Sequence, residues 1–238
     1  MSGPCCVDPG AKQSHSAQGH EETVAGFNTY KTGQGNSVIV MFTDVFGHSF
    51  INTRKAADTF AQATGTTVLI PDFFKDDPMD PNESNLFDKL PGWLKQHPVD
   101  EVCASSDKFI STIKGHYDSI QVIGFCYGAK PVVHLISQAE LTSVVKAAVV
   151  AHPSFLVREE ATQIKRPILF LCAENDQLFT PDIREHFEKT LAPTGLATFI
   201  NYPGMYHGFV IRPDGSEQAD QQRDKAIQDA IKYFKKNV

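Results

Sequence analysis

The chain has 238 residues, of which 41% are hydrophobic and 21% are charged, so it can bury a sizeable core. Its formal net charge of -6 argues against nucleic acid or an anionic membrane as the main partner. No apolar run approaches the roughly 18 residues that a transmembrane helix needs, so we expect no membrane contact.

Residues 1–22 are polar and lack the hydrophobic stretch of a signal peptide. We predict that they form a flexible lead-in and that residues 23–238 form a single domain. Five cysteines, without the spacing of a disulfide framework or a zinc site, are typical of a cytoplasmic protein without a structural metal. For Cys5-Cys6 in the lead-in, the sequence leaves metal binding, oxidation or no role open.

Strand and helix patterns alternate along the chain, and turn residues separate them. In chain order the pattern predicts an edge strand at Phe27–Lys31, a strand at Ser37–Thr43, a helix at Asn52–Ala63, a strand at Thr66–Ile70, helices at Ser84–Gln96 and Asp100–Lys114, a strand at Ser119–Ile123, a helix after Gly128, strands at Ala147–Ala151 and Ile168–Cys172, a helix at Asp182–Leu191, a strand at Ala197–Tyr202 and a helix at Glu217–Lys236. Such alternation indicates an α/β fold with a mostly parallel sheet and helices on both faces.

The segment Gly124-Phe125-Cys126-Tyr127-Gly128 reads G-x-C-x-G between a predicted strand and a helix that contains Pro131 in its first turn. This is the pattern of a nucleophile elbow, with cysteine in place of the usual serine. The helix would point its positive end at Cys126 and favour the thiolate. The same five residues would also suit an ordinary turn with an inert, buried cysteine.

A nucleophilic cysteine needs a base and an acid that orients the base. In α/β-hydrolases the acid follows the nucleophile in the chain, and the histidine comes after the acid. Asp176 follows the predicted strand at Ile168–Cys172, and His207 follows the strand at Ala197–Tyr202. All three side chains would therefore meet at the carboxyl edge of the sheet. Glu174 is close enough in sequence to replace Asp176 as the acid.

An oxyanion hole needs two backbone N–H donors. We predict one from Tyr127, directly after the nucleophile, and one from Val45, in the loop after the Ser37–Thr43 strand. That loop could also be a plain turn. His152 follows another predicted strand. Its side chain either faces the cleft and shapes specificity or belongs to a structural turn before Pro153, and the sequence is equally compatible with both.

Taken together, these segments resemble the dienelactone hydrolase family of α/β-hydrolases, including its eukaryotic branch. The resemblance runs from about Phe27 to the final helix and rests on these motifs: Asp44-Val45-Phe46-Gly47, Ile70-Pro71-Asp72, the cysteine elbow, Glu174-Asn175-Asp176 and His207-Gly208-Phe209. It implies a Cys-His-Asp triad at Cys126, His207 and Asp176, and hydrolysis of small esters or lactones without a cofactor.

Two positions differ from the bacterial members of that family. Asp44 stands where they have a glutamate that interacts with the resting cysteine, so the resemblance implies that Asp44 gates the thiol; a simple turn cap is the alternative. Their arginine for the substrate carboxylate has no equivalent after Pro71-Asp72, where Lys75 is available instead. Arg212, shortly after His207, is the second candidate for binding a substrate carboxylate.

Two functions follow as hypotheses. The first is a cysteine-dependent hydrolase of small esters or lactones that forms an acyl-enzyme. The second is a catalytically weak protein of the same fold that binds a small ligand or responds to oxidation of Cys126. Intact His207 and Asp176 favour the enzyme, and the sequence leaves the oligomeric state open.

Overall fold

A computed structural model describes residues 7–141 and 143–237, and its strands form one sheet. The strands are β1 (His20–Val24), β2 (Phe27–Thr32), β3 (Ser37–Phe42), β4 (Thr67–Pro71), β5 (Ser119–Phe125), β6 (Val145–Ala151), β7 (Ile168–Asn175) and β8 (Ala197–Tyr206). The α-helices are α1 (Ile51–Thr64), α2 (Leu86–Gln96), α3 (Val99–Ile113), α4 (Ala129–Ser137), α5 (Pro181–Leu191) and α6 (Glu217–Lys236). Short 3-10 helices cover Cys126–Gly128, Arg158–Thr162 and Ala192–Thr194.

The sheet has the order β1-β2-β4-β3-β5-β6-β7-β8. Strands β1 and β2 pair antiparallel with each other, and β2 pairs antiparallel with β4. All later neighbours pair parallel, from β4 across to β8. The carboxyl ends of β3 and β5 to β8 therefore share one edge of the sheet, which collects the loops that follow them.

The central strands form because their sequences are mostly apolar. Every residue of β5 is buried, and β3 is buried from its second residue onward, as expected for strands covered on both faces. The helices that cover them bury one stripe each; α6 begins where Ser216 Oγ accepts the Ala219 N–H at 3.2 Å. Among the described residues, no helix combines the length and apolarity needed to cross a membrane.

The predicted strands and helices are present, and most boundaries agree within a few residues. Two differences concern strands. β1 was missed because its sequence, His20–Val24, is polar; it forms by pairing with the edge strand β2. β8 continues to Tyr206, into the segment predicted as a loop, because it stays paired with β7 up to that residue.

The predicted lead-in is described from residue 7 to residue 22, and its last three residues belong to β1. Residues 7–19 contain no helix and no strand but are hydrogen-bonded to the rest of the chain. Asn52 Nδ2 donates to the carbonyls of Ala11, at 3.0 Å, and Ile211, at 2.8 Å. The Asp8 carbonyl accepts from Arg212 Nη1 at 2.8 Å. This segment therefore lies against the loop that follows β8. Cys5 and Cys6 lie outside the described residues.

Candidate active site

Cys126 stands directly after β5 at the sharp turn into α4. Its φ of 51° is in the left-handed region, which costs a non-glycine residue on the order of 1–3 kcal/mol. The turn is held tightly: a Cβ on Gly128 would lie 2.2 Å from the carbonyl oxygen of Phe42, at the end of β3. Only glycine fits there, so the second glycine of the motif allows the elbow to pack against the neighbouring strand.

His207 and Asp176 form a buried pair beside the elbow. His207 Nδ1 lies 2.9 Å from Asp176 Oδ1 and 3.0 Å from Oδ2, and both side chains are almost fully enclosed. The N–H groups of Leu178 and Phe179 donate to Asp176 Oδ1 and fix the carboxylate. Glu174, the other candidate acid, is exposed and accepts the Gly204 N–H at 2.8 Å. It is therefore Asp176 that contacts the histidine.

Cys126 and His207 form a hydrogen-bonded pair. Burial alone would lower the pKa of His207, but the Cys126 thiolate and the hydrogen-bonded Asp176 raise it to about 10. The Cys126 thiolate and Asp176 therefore both favour the imidazolium form of His207.

The two other described cysteines contrast with Cys126. Cys103 and Cys172 are buried, and burial raises the pKa of each thiol to about 12. Thiols in that state are poor nucleophiles because the thiolate is the reactive form. Among the described cysteines, Cys126 is the one with a base beside it.

Asp44 lies at the start of the loop after β3 and is fully buried next to this pair. Arg212 Nε lies 3.1 Å from Asp44 Oδ2, and the Phe46 N–H donates to Oδ1 at 3.0 Å. Burial raises the pKa of Asp44 to about 6, the Cys126 thiolate acts in the same direction, and Arg212 opposes both. Asp44 is therefore charged at neutral pH and is coupled electrostatically to the thiol.

Arg212 is itself enclosed, with 2% of its surface exposed. Its guanidinium lies 5.7 Å from the ring centre of Phe46. A Cβ on Gly208 would lie 2.6 Å from Arg212 Nη2, so the glycine after His207 leaves the space that the guanidinium occupies. The sequence suggested Asp44 and Arg212 for separate roles; it did not reveal that they form an ion pair.

His152 and Ser154 follow β6 and complete the cluster. The ring of His152 is centred 5.1 Å from that of His207, and burial together with the charges of His207 and Arg212 holds the pKa of His152 well below its usual value. Ser154 Oγ lies 3.3 Å from Cys126 Sγ and 3.4 Å from His207 Nε2. Sequence reasoning missed Ser154, although its place after a strand next to the nucleophile strand was an available signal.

Of the remaining predicted residues, two are buried beside the cluster and one lies at the surface. Val45 and Tyr127 are buried directly after Asp44 and Cys126; the Met79 N–H donates to the Val45 carbonyl at 2.9 Å, which fixes that loop. The side chain of Lys75 is 76% exposed and lies 3.7 Å from Glu101, so it is not part of the buried cluster. Within the described residues, no group of His, Cys, Asp and Glu side chains suits a metal ion.

A cavity of about 380 Å³ shares Phe46 with the Asp44 side of the site. Its other walls include Phe50, Pro78 and Met79, with Lys12 and Asp80 as charged groups. Because Cys126 and His207 are each at most 2% exposed, a substrate needs a route inward, and this mostly apolar cavity reaches the loop of Asp44 at Phe46.

Comparison with known proteins identifies the family of the chain. The model of the dienelactone hydrolase family matches residues 24–238. The carboxymethylenebutenolidase homolog of Mus musculus is 30% identical over 246 residues, which cover 99% of this chain and 98% of the relative. Hydrolase pyvD of Aspergillus violaceofuscus is 31% identical over 183 residues, covering 75% of this chain and 72% of the relative.

Solved structures show the same fold. The dienelactone hydrolase-like promiscuous phosphotriesterase P91, from metagenomic libraries, superposes with a TM-score of 0.66 at 16% identity, covering 93% of this chain and 98% of its own. Esterase 2 of Thermogutta terrifontis superposes with a TM-score of 0.69 at 16% identity, covering 93% and 96%. The predicted α/β-hydrolase fold is confirmed.

Proposed function

Because the chain belongs to the dienelactone hydrolase family and is a hydrolase of the ester or lactone type, we propose that Cys126, His207 and Asp176 are its catalytic triad. The reaction is cleavage of a small ester or lactone through a covalent acyl-enzyme. The observation that carries this proposal is the chain of contacts from the thiol of Cys126 through His207 to Asp176.

The first half of the reaction forms a thioester. Cys126 Sγ attacks the carbonyl carbon, and the C=O electron pair moves onto the oxygen, which the N–H groups of Val45 and Tyr127 stabilise. As this tetrahedral intermediate collapses, the C–O bond to the leaving group breaks. His207 gives its proton to the departing oxygen and becomes neutral.

The second half releases the acid. Neutral His207 takes a proton from a water molecule, whose oxygen attacks the thioester carbonyl. The C–S bond then breaks, and the thiolate returns beside the imidazolium. Asp176 keeps His207 in the correct tautomer throughout and does not itself exchange a proton.

We assign thiol gating to Asp44 and substrate binding to Arg212 as linked roles. A substrate carboxylate that pairs with Arg212 would compete with Asp44 for the guanidinium, now 3.1 Å from it. Freed from this pair, Asp44 could move away from Cys126. His152, from within the cluster, and Lys75, from the surface, are the further proposed substrate contacts. A reducing, cytoplasmic setting fits the free thiols of Cys103, Cys126 and Cys172.

The test is acylation by p-nitrophenyl acetate, followed by intact mass spectrometry after rapid acid quench. We expect the mass of one acetyl group on Cys126 and steady release of p-nitrophenol. Cys126→Ala should lose both while staying folded, with residual catalysis of about 10³-fold over water at most. Cys103→Ala, which removes another buried thiol, is the matched control and should keep both.

Near-normal turnover in folded Cys126→Ala would refute the triad. Wild-type protein that is never acylated, but whose Cys126 is readily oxidised, would instead favour the redox-responsive alternative.

A further inference from the structure

Ser154 is the one side chain of the cluster that the triad mechanism leaves without a role. Its hydroxyl lies 3.3 Å from Cys126 Sγ and 3.4 Å from His207 Nε2, so it touches both members of the ion pair. The side chain is enclosed, with 1% of the residue exposed. A buried hydroxyl between the nucleophile and the base is in direct contact with the reacting atoms.

The position of Ser154 is fixed by its own backbone. Its N–H donates to the Cys126 carbonyl at 3.0 Å, which ties the loop after β6 to the strained elbow residue. Two residues earlier, His152 has a φ of 38°, in the left-handed region, which turns the chain out of β6 toward the elbow. The hydroxyl therefore has little freedom to leave the pair.

A serine hydroxyl has one proton to donate and two lone pairs that accept. Between an imidazolium and a thiolate it can donate its own proton to Cys126 Sγ, while its oxygen shares the Nε2–H of His207 with the sulfur. Beside a neutral thiol and a neutral imidazole, the same hydroxyl would form hydrogen bonds only with uncharged groups. Because hydrogen bonds to charged groups are stronger than those between neutral groups, the hydroxyl favours the charged pair.

We propose that Ser154 is a further residue of the catalytic machinery, one that stabilises the Cys126 thiolate and keeps the sulfur aligned with His207. The proposal rests on the proposed function. When the pair forms, the S–H bond of Cys126 breaks and the proton ends on His207 Nε2, while Ser154 keeps its own proton and turns it toward the sulfur. Once Cys126 is acylated, its sulfur carries no negative charge, and the hydroxyl of Ser154 loses this charge-assisted hydrogen bond.

Other charged and titratable groups around the pair act at the same time. Asp44 comes from the loop after β3, His152 from the β6 loop, Asp176 from the β7 loop and Arg212 from the segment after β8. Asp44 disfavours the thiolate by like charge, and Arg212 opposes Asp44. A test of Ser154 must therefore leave all four of these groups in place, which removal of one neutral hydroxyl does.

The experiment measures how fast iodoacetamide alkylates Cys126 as a function of pH, without substrate, by mass spectrometry of the peptide that contains Cys126. In Ser154→Ala the midpoint should move up by about one pH unit, so that the rate at pH values below the wild-type midpoint falls about tenfold. Ser154→Thr, which keeps the hydroxyl, should lie closer to wild type than Ser154→Ala. Ser106→Ala removes a buried hydroxyl that bonds the Cys103 carbonyl at 2.6 Å, and should match wild type.

Ser154→Gly is the second variant, in case the alanine form does not fold; it also keeps the N–H to Cys126 and lacks only the side chain. An alkylation profile equal to that of wild type in a folded Ala or Gly variant overturns the inference. This failure is distinct from failure of the proposed function, which would appear as wild-type protein that p-nitrophenyl acetate does not acylate.

Discussion

Asp176→Asn removes the negative charge that contacts His207 Nδ1 and leaves the size and shape of the side chain almost unchanged. The side chain keeps an oxygen that can accept the N–H groups of Leu178 and Phe179, at 2.9 and 3.1 Å, so the loop after β7 should hold its position. What is lost is the negative partner of His207 Nδ1, which contributes to a histidine pKa of about 10. The imidazolium then becomes easier to deprotonate.

The size of the effect follows from this one contact. A hydrogen bond to a charged group contributes about 1.5–3 kcal/mol, which corresponds to a pKa decrease of about one to two units for His207. Since the active form holds a proton on His207, the alkaline limb of kcat/KM should move down from about pH 10 by that amount. At neutral pH the lower pKa of His207 makes the neutral thiol–imidazole pair more populated, so we expect kcat/KM to fall about 10-fold to 100-fold, and further where the amide favours the wrong tautomer.

The assay is hydrolysis of p-nitrophenyl acetate from pH 5 to pH 10, after correction for hydrolysis in buffer alone. Glu174→Gln is the matched control: it removes the same charge two residues away, from an exposed side chain that bonds Gly204 rather than His207. Asp176→Asn with a wild-type profile, or Glu174→Gln with the larger loss, would show that the acid has been assigned to the wrong residue.

Three further changes probe the rest of the site. Asp44→Asn removes a like charge near Cys126, so iodoacetamide should alkylate the thiol faster than in the wild type above about pH 6. Below about pH 6 the two alkylation profiles should converge, because Asp44 is then protonated in the wild type. Identical profiles at every pH would mean that Asp44 is only a turn cap. Cys126→Ser should keep only a small fraction of the kcat of the wild type, whereas full activity would make the thiol incidental. Gly128→Ala forces a Cβ to within 2.2 Å of the Phe42 carbonyl oxygen; we expect a stability loss of about 1–3 kcal/mol in thermal unfolding, and an unchanged melting temperature would contradict the packing described for the elbow.

The sequence predicted the positions of Cys126, Asp176 and His207 because each follows a strand of a parallel sheet, and such strands end at a common edge. It could not decide between Asp176 and Glu174, since spacing alone does not say which carboxylate turns toward the histidine. The contacts of Ser154 and the Asp44–Arg212 pair were also out of reach. They join loops that are distant in sequence, and the first depends on the left-handed backbone at His152. Strand β1 was not predicted because its residues are polar; it forms through its backbone pairing with β2.

Arg212 Nη1 donates to the carbonyl of Asp8, so the segment before β1 contacts the arginine with a main-chain atom. Asp8 and Ala11 contact the segment after β8 with main-chain atoms, and any residue placed at these two positions would still have those atoms. Replacing their side chains one at a time should leave the arginine where it is, so alanine scanning would report the segment as tolerant. Only a change that shifts the path of the backbone, such as a deletion or an inserted residue, would disturb the charge beside Cys126. This segment thus constrains the position of Arg212 through its main-chain atoms.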